Sequence, residues 1–156
     1  MRRLFGVLLA GAILTLPAFS QSASAQQAAA PQKPPPFTID GEGALLIVSV
    51  KADKTADYEQ VLTKLKDALS KSEAPDAKKQ AAGWKVIKTT KPQPDGTIFY
   101  LHFITPVPGA DYSVLQSIYA VVKDPMEQRS LYDLYVGTGA KNVSLLNGTV
   151  AIDLGK

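Results

Sequence analysis

The sequence contains no cysteine and, in 156 residues, one histidine, His102. The lack of cysteine excludes disulfides, thiolate zinc sites, iron–sulfur clusters, a cysteine nucleophile and a lipid-modified N-terminal cysteine. One imidazole excludes any site that needs two. Charge is sparse as well, with 17 Lys+Arg against 14 Asp+Glu. The chain is long enough for one core and too short for two comfortable domains.

Part of that small basic excess sits at the N-terminus. Arg2 and Arg3 precede an uncharged apolar run from Leu4 to Phe19, and Ala23-Ser24-Ala25 then supplies a small-residue cleavage pattern. Residues 1–25 therefore read as an export signal, and the protein as periplasmic or secreted. The apolar run is short for a membrane span, so no stable membrane insertion is expected once the signal is cleaved. Arg2-Arg3 matches only a fragment of a twin-arginine motif, which leaves the export route open. Removing both arginines leaves 15 basic against 14 acidic residues. Such a balance cannot neutralise a phosphate backbone, and no nucleic-acid partner is expected.

Residues 26–42 hold Pro34, Pro35 and Pro36 and few large apolar side chains. They read as a disordered linker, leaving 43–156 as the folded domain. Ala44 to Lys51 is a short apolar run suited to a strand buried on both faces. Tyr58, Val61, Leu62, Leu65 and Leu69 then recur at helical spacing and predict a helix over 56–72, with Asp53 or Thr55 as its N-cap. Lys78 to Ala82 can add a helical turn. Trp84 to Thr90 alternates like a half-exposed strand. Pro92-Gln93-Pro94-Asp95-Gly96 is a turn, and Thr97 to Thr105 is its partner strand. A second helical region spans 111–136 and breaks near Lys123, because Asp124-Pro125 is a helix-start pair. Val143 to Leu154 closes the domain as a last strand, with a bulge at Asn147-Gly148.

The order βαββαβ predicts a ferredoxin-like α+β fold, an antiparallel four-stranded sheet with helices on one face. The first and third strands, apolar on both sides, belong in its centre. A second face that greasy should not stay wet, so it needs a cover. Alternation assigns Phe99, Leu101 and Phe103 to the helix-packed side together with Leu46, Val48 and Val50. It assigns Tyr100 and His102 to the opposite side, beside Ile47 and Ser49. Tyr100, His102, Ile47, Ser49 and Trp84 are accordingly the candidate ligand-binding residues.

Four segments carry a family resemblance. They are Leu46-Ile47-Val48-Ser49-Val50-Lys51, the helix with Tyr58, Val61 and Leu65, Gly83-Trp84-Lys85-Val86, and Ile98-Phe99-Tyr100-Leu101-His102-Phe103. Residues 44–152 resemble the dimeric α/β-barrel superfamily, including its antibiotic biosynthesis monooxygenase-like members. The resemblance implies a homodimer with a small cavity between sheet and helices. Its members include cofactor-independent oxygenases, haem-degrading enzymes and isomerases. No catalytic residue transfers by motif.

Few residues could carry chemistry. His102 is the one side chain that titrates near neutrality. As a base beside Tyr100, or as an axial haem ligand, it would suit a cofactor-independent or haem-dependent monooxygenase-like enzyme. Asp53 and Asp57 lack a third oxygen ligand at calcium-loop spacing, and no metal or cofactor is expected. Gly137-Thr138-Gly139 follows a helix and is no nucleotide fingerprint. Three expectations remain: an exported homodimer that binds a small apolar or aromatic ligand, an enzyme using His102, and an interaction module whose sheet face serves self-association.

Overall fold

The computed structural model describes residues 37–154. The expected signal, 1–25, and the linker as far as residue 36 lie outside the described residues. Four strands, β1 (Gly43–Lys51), β2 (Trp84–Lys88), β3 (Thr97–Ile104) and β4 (Lys141–Gly148), form one antiparallel sheet in the order β2-β3-β1-β4. Four helices accompany them: α1 (Thr55–Lys71), α2 (Ala77–Gly83), α3 (Val114–Val121) and α4 (Pro125–Gly137). The architecture is α+β and broadly ferredoxin-like, with the two doubly apolar strands in the middle of the sheet as their composition requires.

The core lies between the sheet and the helices. Leu46, Val48 and Val50 of β1 and Ile98, Tyr100 and Ile104 of β3 form one layer with Tyr58 of α1 and Tyr112. Val61, Leu65 and Leu69 pack a second cluster with Val114, Ile118 and Leu131. Among the described residues no helix is long and apolar enough to cross a membrane.

Local chemistry explains most boundaries. Asp95 Oδ1 accepts from both the amide and the hydroxyl of Thr97, and Gly96 takes φ +79, so the β2–β3 turn closes where Asp-Gly sits. The Asp124 carboxylate caps α4 by accepting from the Met126 amide, with Pro125 in the first turn. Gly83 lets α2 run straight into β2. A Cβ there would stand 2.5 Å from the Thr105 carbonyl oxygen.

Several local features differ from expectation: β2 ends at Lys88 rather than Thr90, the second helical region starts at Val114 rather than Asp111, and β4 starts at Lys141 rather than Val143. A 3-10 turn, Ala52–Lys54, precedes α1, and the N-cap residue is Lys54 with no side-chain cap. Neither Asp53 nor Thr55 fills that role, because β1 feeds the helix directly and the 3-10 turn occupies the capping position. The bulge in β4 lies around Val143, opposite Ile47 and Val48, rather than at Asn147-Gly148. β4 ends at Gly148, not Leu154, because Gly148 pairs with Gly43, the first residue of β1, and no neighbour extends further. Finally, the chain is anchored before residue 42. The Phe37 amide donates to Asp111 Oδ1, its carbonyl accepts from the Tyr112 amide, and Phe37 and Ile39 pack on the core. Two apolar side chains and a pair of backbone bonds suffice to attach what the proline-rich composition alone assigned to linker.

Candidate functional site

The helix-packed side of β3 carries a buried polar network around His102. Residues directly opposite in an antiparallel ladder share a face. Leu46 lies opposite His102 and Val48 opposite Tyr100, so the histidine and tyrosine point the same way as the buried side chains of β1. His102 is fully buried. The Trp84 indole Nε1–H donates to its Nδ1 at 2.9 Å, and Tyr58 Oη lies 2.9 Å from its Nε2.

Those two contacts fix the protonation state of the ring. An indole nitrogen can only donate, so Nδ1 is bare and accepts. A neutral imidazole then carries its proton on Nε2 and donates it to Tyr58 Oη. Burial penalises the imidazolium and pulls the His102 pKa down to about 4. Burial likewise drives the Tyr58 phenol well above its ordinary range, with Tyr135 and Tyr100 nearby adding to the effect. The Tyr58 ring stacks at a tilt on Tyr100, with centroids 4.7 Å apart, and Trp84 meets Tyr112 edge-on at 5.3 Å.

Toward the solvent edge of this layer, Tyr100 Oη donates to Glu59 Oε1 at 2.7 Å, and Lys88 Nζ donates to the same oxygen at 2.9 Å. The lysine bond first, and the tyrosine bond second, hold the Glu59 carboxyl below its usual range. Burial and the Glu59 contact together raise the Tyr100 phenol. Helix α1 supplies both Tyr58 and Glu59. Consecutive positions there place one side chain over the sheet and the next at the rim above Lys88.

The expected assignment of β3 faces is therefore inverted, while that of β1 holds. Tyr100 and His102 lie under the helices, and Phe99, Leu101 and Phe103 look outward. The reason is electrostatic bookkeeping that alternation does not encode. Each His102 nitrogen finds a partner indoors, as does the Tyr100 hydroxyl, so their polarity carries no penalty there. The five candidate ligand residues do not converge. Tyr100, His102 and Trp84 gather on the inner side, whereas Ile47 and Ser49 lie on the outer. Tyr58 and Glu59 were missed as polar partners. Tyr58 fits the apolar stripe of α1, and nothing in its spacing marks the hydroxyl as the acceptor for a histidine 44 residues away.

The inner network is sealed, with both imidazole nitrogens engaged. Neither is free for an axial haem bond or to take a proton from a bound substrate. Next to Trp84, a groove of about 360 Å³ opens between α1 and β2, lined by Leu62, Leu65, Leu69, Ala81, Trp84 and Val86 together with Thr63 and Lys66. Among the described residues no group of three or more His, Asp or Glu is placed to hold a metal ion.

The outer side of the sheet differs in kind. Register puts Leu45 and Ile47 of β1, Phe99, Leu101 and Phe103 of β3, Ile87 of β2 and Leu146 of β4 on one surface. Phe103, Ile87 and Leu146 are 42%, 53% and 57% exposed. All four helices enter the core on the opposite side. Across the β2 end of the outer surface runs a shallow groove of about 880 Å³, bordered by Gly43, Ala44, Lys85, Ile87 and Phe103. Comparison with known proteins finds no matching family model, no matching curated protein and no matching solved structure.

Proposed function

We propose that this protein is an exported interaction module that works as a homodimer through the outer face of its sheet. One observation carries the reading: every strand contributes an apolar side chain to a continuous surface that no described helix covers. Surfaces of that kind on soluble domains mark association sites. The size is adequate. Strands of nine, five, eight and eight residues spaced about 4.8 Å apart present ~480 Å² per copy, or ~950 Å² between two copies, close to the lower bound for a specific interface. A second copy is the natural occupant because a two-fold interface needs one self-complementary patch, and this patch has Leu45, Ile47, Leu101 and Phe103 at its centre with Lys85, Ser144 and Lys141 on its edge strands. The homodimer implied by the α/β-barrel resemblance is the same arrangement. Export rests on the pattern of residues 1–25.

The groove beside Trp84 supports a second, compatible role, the binding of a small apolar ligand between α1 and β2. Its volume lies at the small end of the range for ligand sites, and its walls are mostly aliphatic and aromatic, with Thr63 and Lys66 as the polar members. The sealed His102 gives the enzymatic alternative no accessible base.

Substituting Leu101, central on the outer face, tests the main reading. Size-exclusion chromatography with light scattering should give twice the monomer mass for the native protein. Leu101→Lys should give a monomer with an unchanged circular dichroism spectrum. A native protein that elutes as a monomer at tens of micromolar would refute the reading.

A further inference from the structure

We infer that the groove between α1 and β2 takes an amphipathic carboxylate, an assignment that rests on the ligand role proposed for that groove. The hydrocarbon chain lies along Leu62, Trp84 and Val86, and the anionic head meets Lys66. The lining side chains carry few polar atoms, and those of Trp84 and Thr63 are already engaged. Trp84 has a single polar atom, Nε1, which donates to His102 Nδ1 at 2.9 Å. What remains of its ring is hydrocarbon. The Thr63 hydroxyl donates to the Glu59 carbonyl oxygen at 2.8 Å, within its own helix. Lys66 Nζ is left as the lining side-chain donor that a ligand can take up.

Charge points the same way. Among the described residues no acidic side chain lines the groove, and Lys66 has no ion-pair partner. Its neighbours one turn away on α1 are Leu62, Thr63, Leu69 and Ser70, none of which can neutralise it. Glu59, further back on α1, is held by Lys88 and Tyr100. An unpaired ammonium beside hydrocarbon walls selects a ligand built from the same two parts, an apolar body and one oppositely charged end.

Size and access agree. The groove measures about 360 Å³. A dry cavity of about 150 Å³ suffices for benzene, so this one suits a chain of about eight to twelve carbons. Its walls have area left to cover, since Leu62, Ala81 and Trp84 are half-buried and Val86 is 37% exposed. Val86 pairs with His102 in the β2–β3 ladder and so faces the helix side of the sheet. A ligand there leaves the outer face free, and the groove can fill while the sheet face holds a second copy.

Trp84 is the only tryptophan in the chain, so its emission reports on the groove. The protein is titrated with decanoate, decan-1-ol and decyltrimethylammonium, each below its aggregation limit, while Trp84 emission and the melting temperature are followed. Decanoate should shift the emission to the blue as water leaves the indole. It should bind about fivefold or more tighter than the alcohol, with the cation weakest. Lys66→Met should abolish that preference and leave the alcohol unchanged, and Val86→Glu should remove decanoate binding. If alcohol and carboxylate bind equally and Lys66→Met changes neither, the anion assignment fails and the apolar-ligand role stands. If decanoate binds Val86→Glu as tightly as the native protein, it sits elsewhere and the inference is overturned. If none of the three moves the emission or the melting temperature, the inference and the ligand role fall together.

Discussion

Acid should weaken this fold through His102, and by an amount the structure sets. In the unfolded chain the imidazole titrates near 6.5, whereas in the folded protein burial lowers its pKa to about 4. The unfolded state therefore binds the extra proton first as the pH falls. Stability from this group is complete above pH 6.5 and is lost progressively as the pH drops toward 4. Between pH 7.5 and pH 5 the loss is about 2 kcal/mol, and by pH 4 roughly 3 kcal/mol. The geometry gives the same direction. A protonated ring carries N–H on both nitrogens, and Nδ1–H would confront the Trp84 indole N–H across 2.9 Å. Urea unfolding of the native protein and of His102→Gln, measured from pH 7.5 to pH 5, isolates the effect. Glutamine does not titrate, and its carbonyl oxygen can still accept from Trp84. The native protein should lose about 2 kcal/mol more than the variant over that interval. Parallel stability curves for the two proteins would refute both the assignment of a neutral, buried imidazole and the tautomer derived from it.

Further outcomes follow from neighbouring groups. Tyr58→Phe strands the Nε2–H of His102, because Nδ1 must stay bare for Trp84, and should cost ~1–3 kcal/mol in urea unfolding. Tyr100→Phe should cost less than about 1 kcal/mol in the same assay, since Glu59 keeps Lys88 and solvent as partners. Gly83→Ala forces a Cβ to 2.5 Å from the Thr105 carbonyl and should destabilise by ~1–3 kcal/mol in thermal melts. Asp124→Ala removes the α4 cap and should cost about 1 kcal/mol, with Asp124→Asn restoring most of it.

Topology was legible in the chain because its signals are local or total. Ala44 to Val50 and Ile98 to Ile104 lack a polar face, which demands the centre of the sheet. Asp95-Gly96 and Asp124-Pro125 dictate backbone geometry at one point and need no distant partner. The side on which each β3 residue falls was not legible, since both alternating sets contain bulky side chains. The decision rests on whether His102 and Tyr100 find partners from α1 and β2, a long-range fact. The same limit hid part of the candidate site: Trp84, His102 and a second apolar face in need of a cover were legible, whereas Tyr58, the third member of the polar core, was not. The attachment of Phe37 escaped for a related reason, because composition averaged over a proline-rich stretch dilutes two well-placed aromatic and aliphatic side chains. At the other end, alternation through Leu154 announced a strand that β1 is too short to pair.

The apolar outer face as a self-association surface is tested most directly by sedimentation equilibrium of the purified native protein over a dilution series. The account predicts a single species of twice the monomer mass at tens of micromolar, shifting to monomer on dilution or with Leu101→Lys. A native protein that remains monomeric across the series, at the same mass as Leu101→Lys, would contradict it.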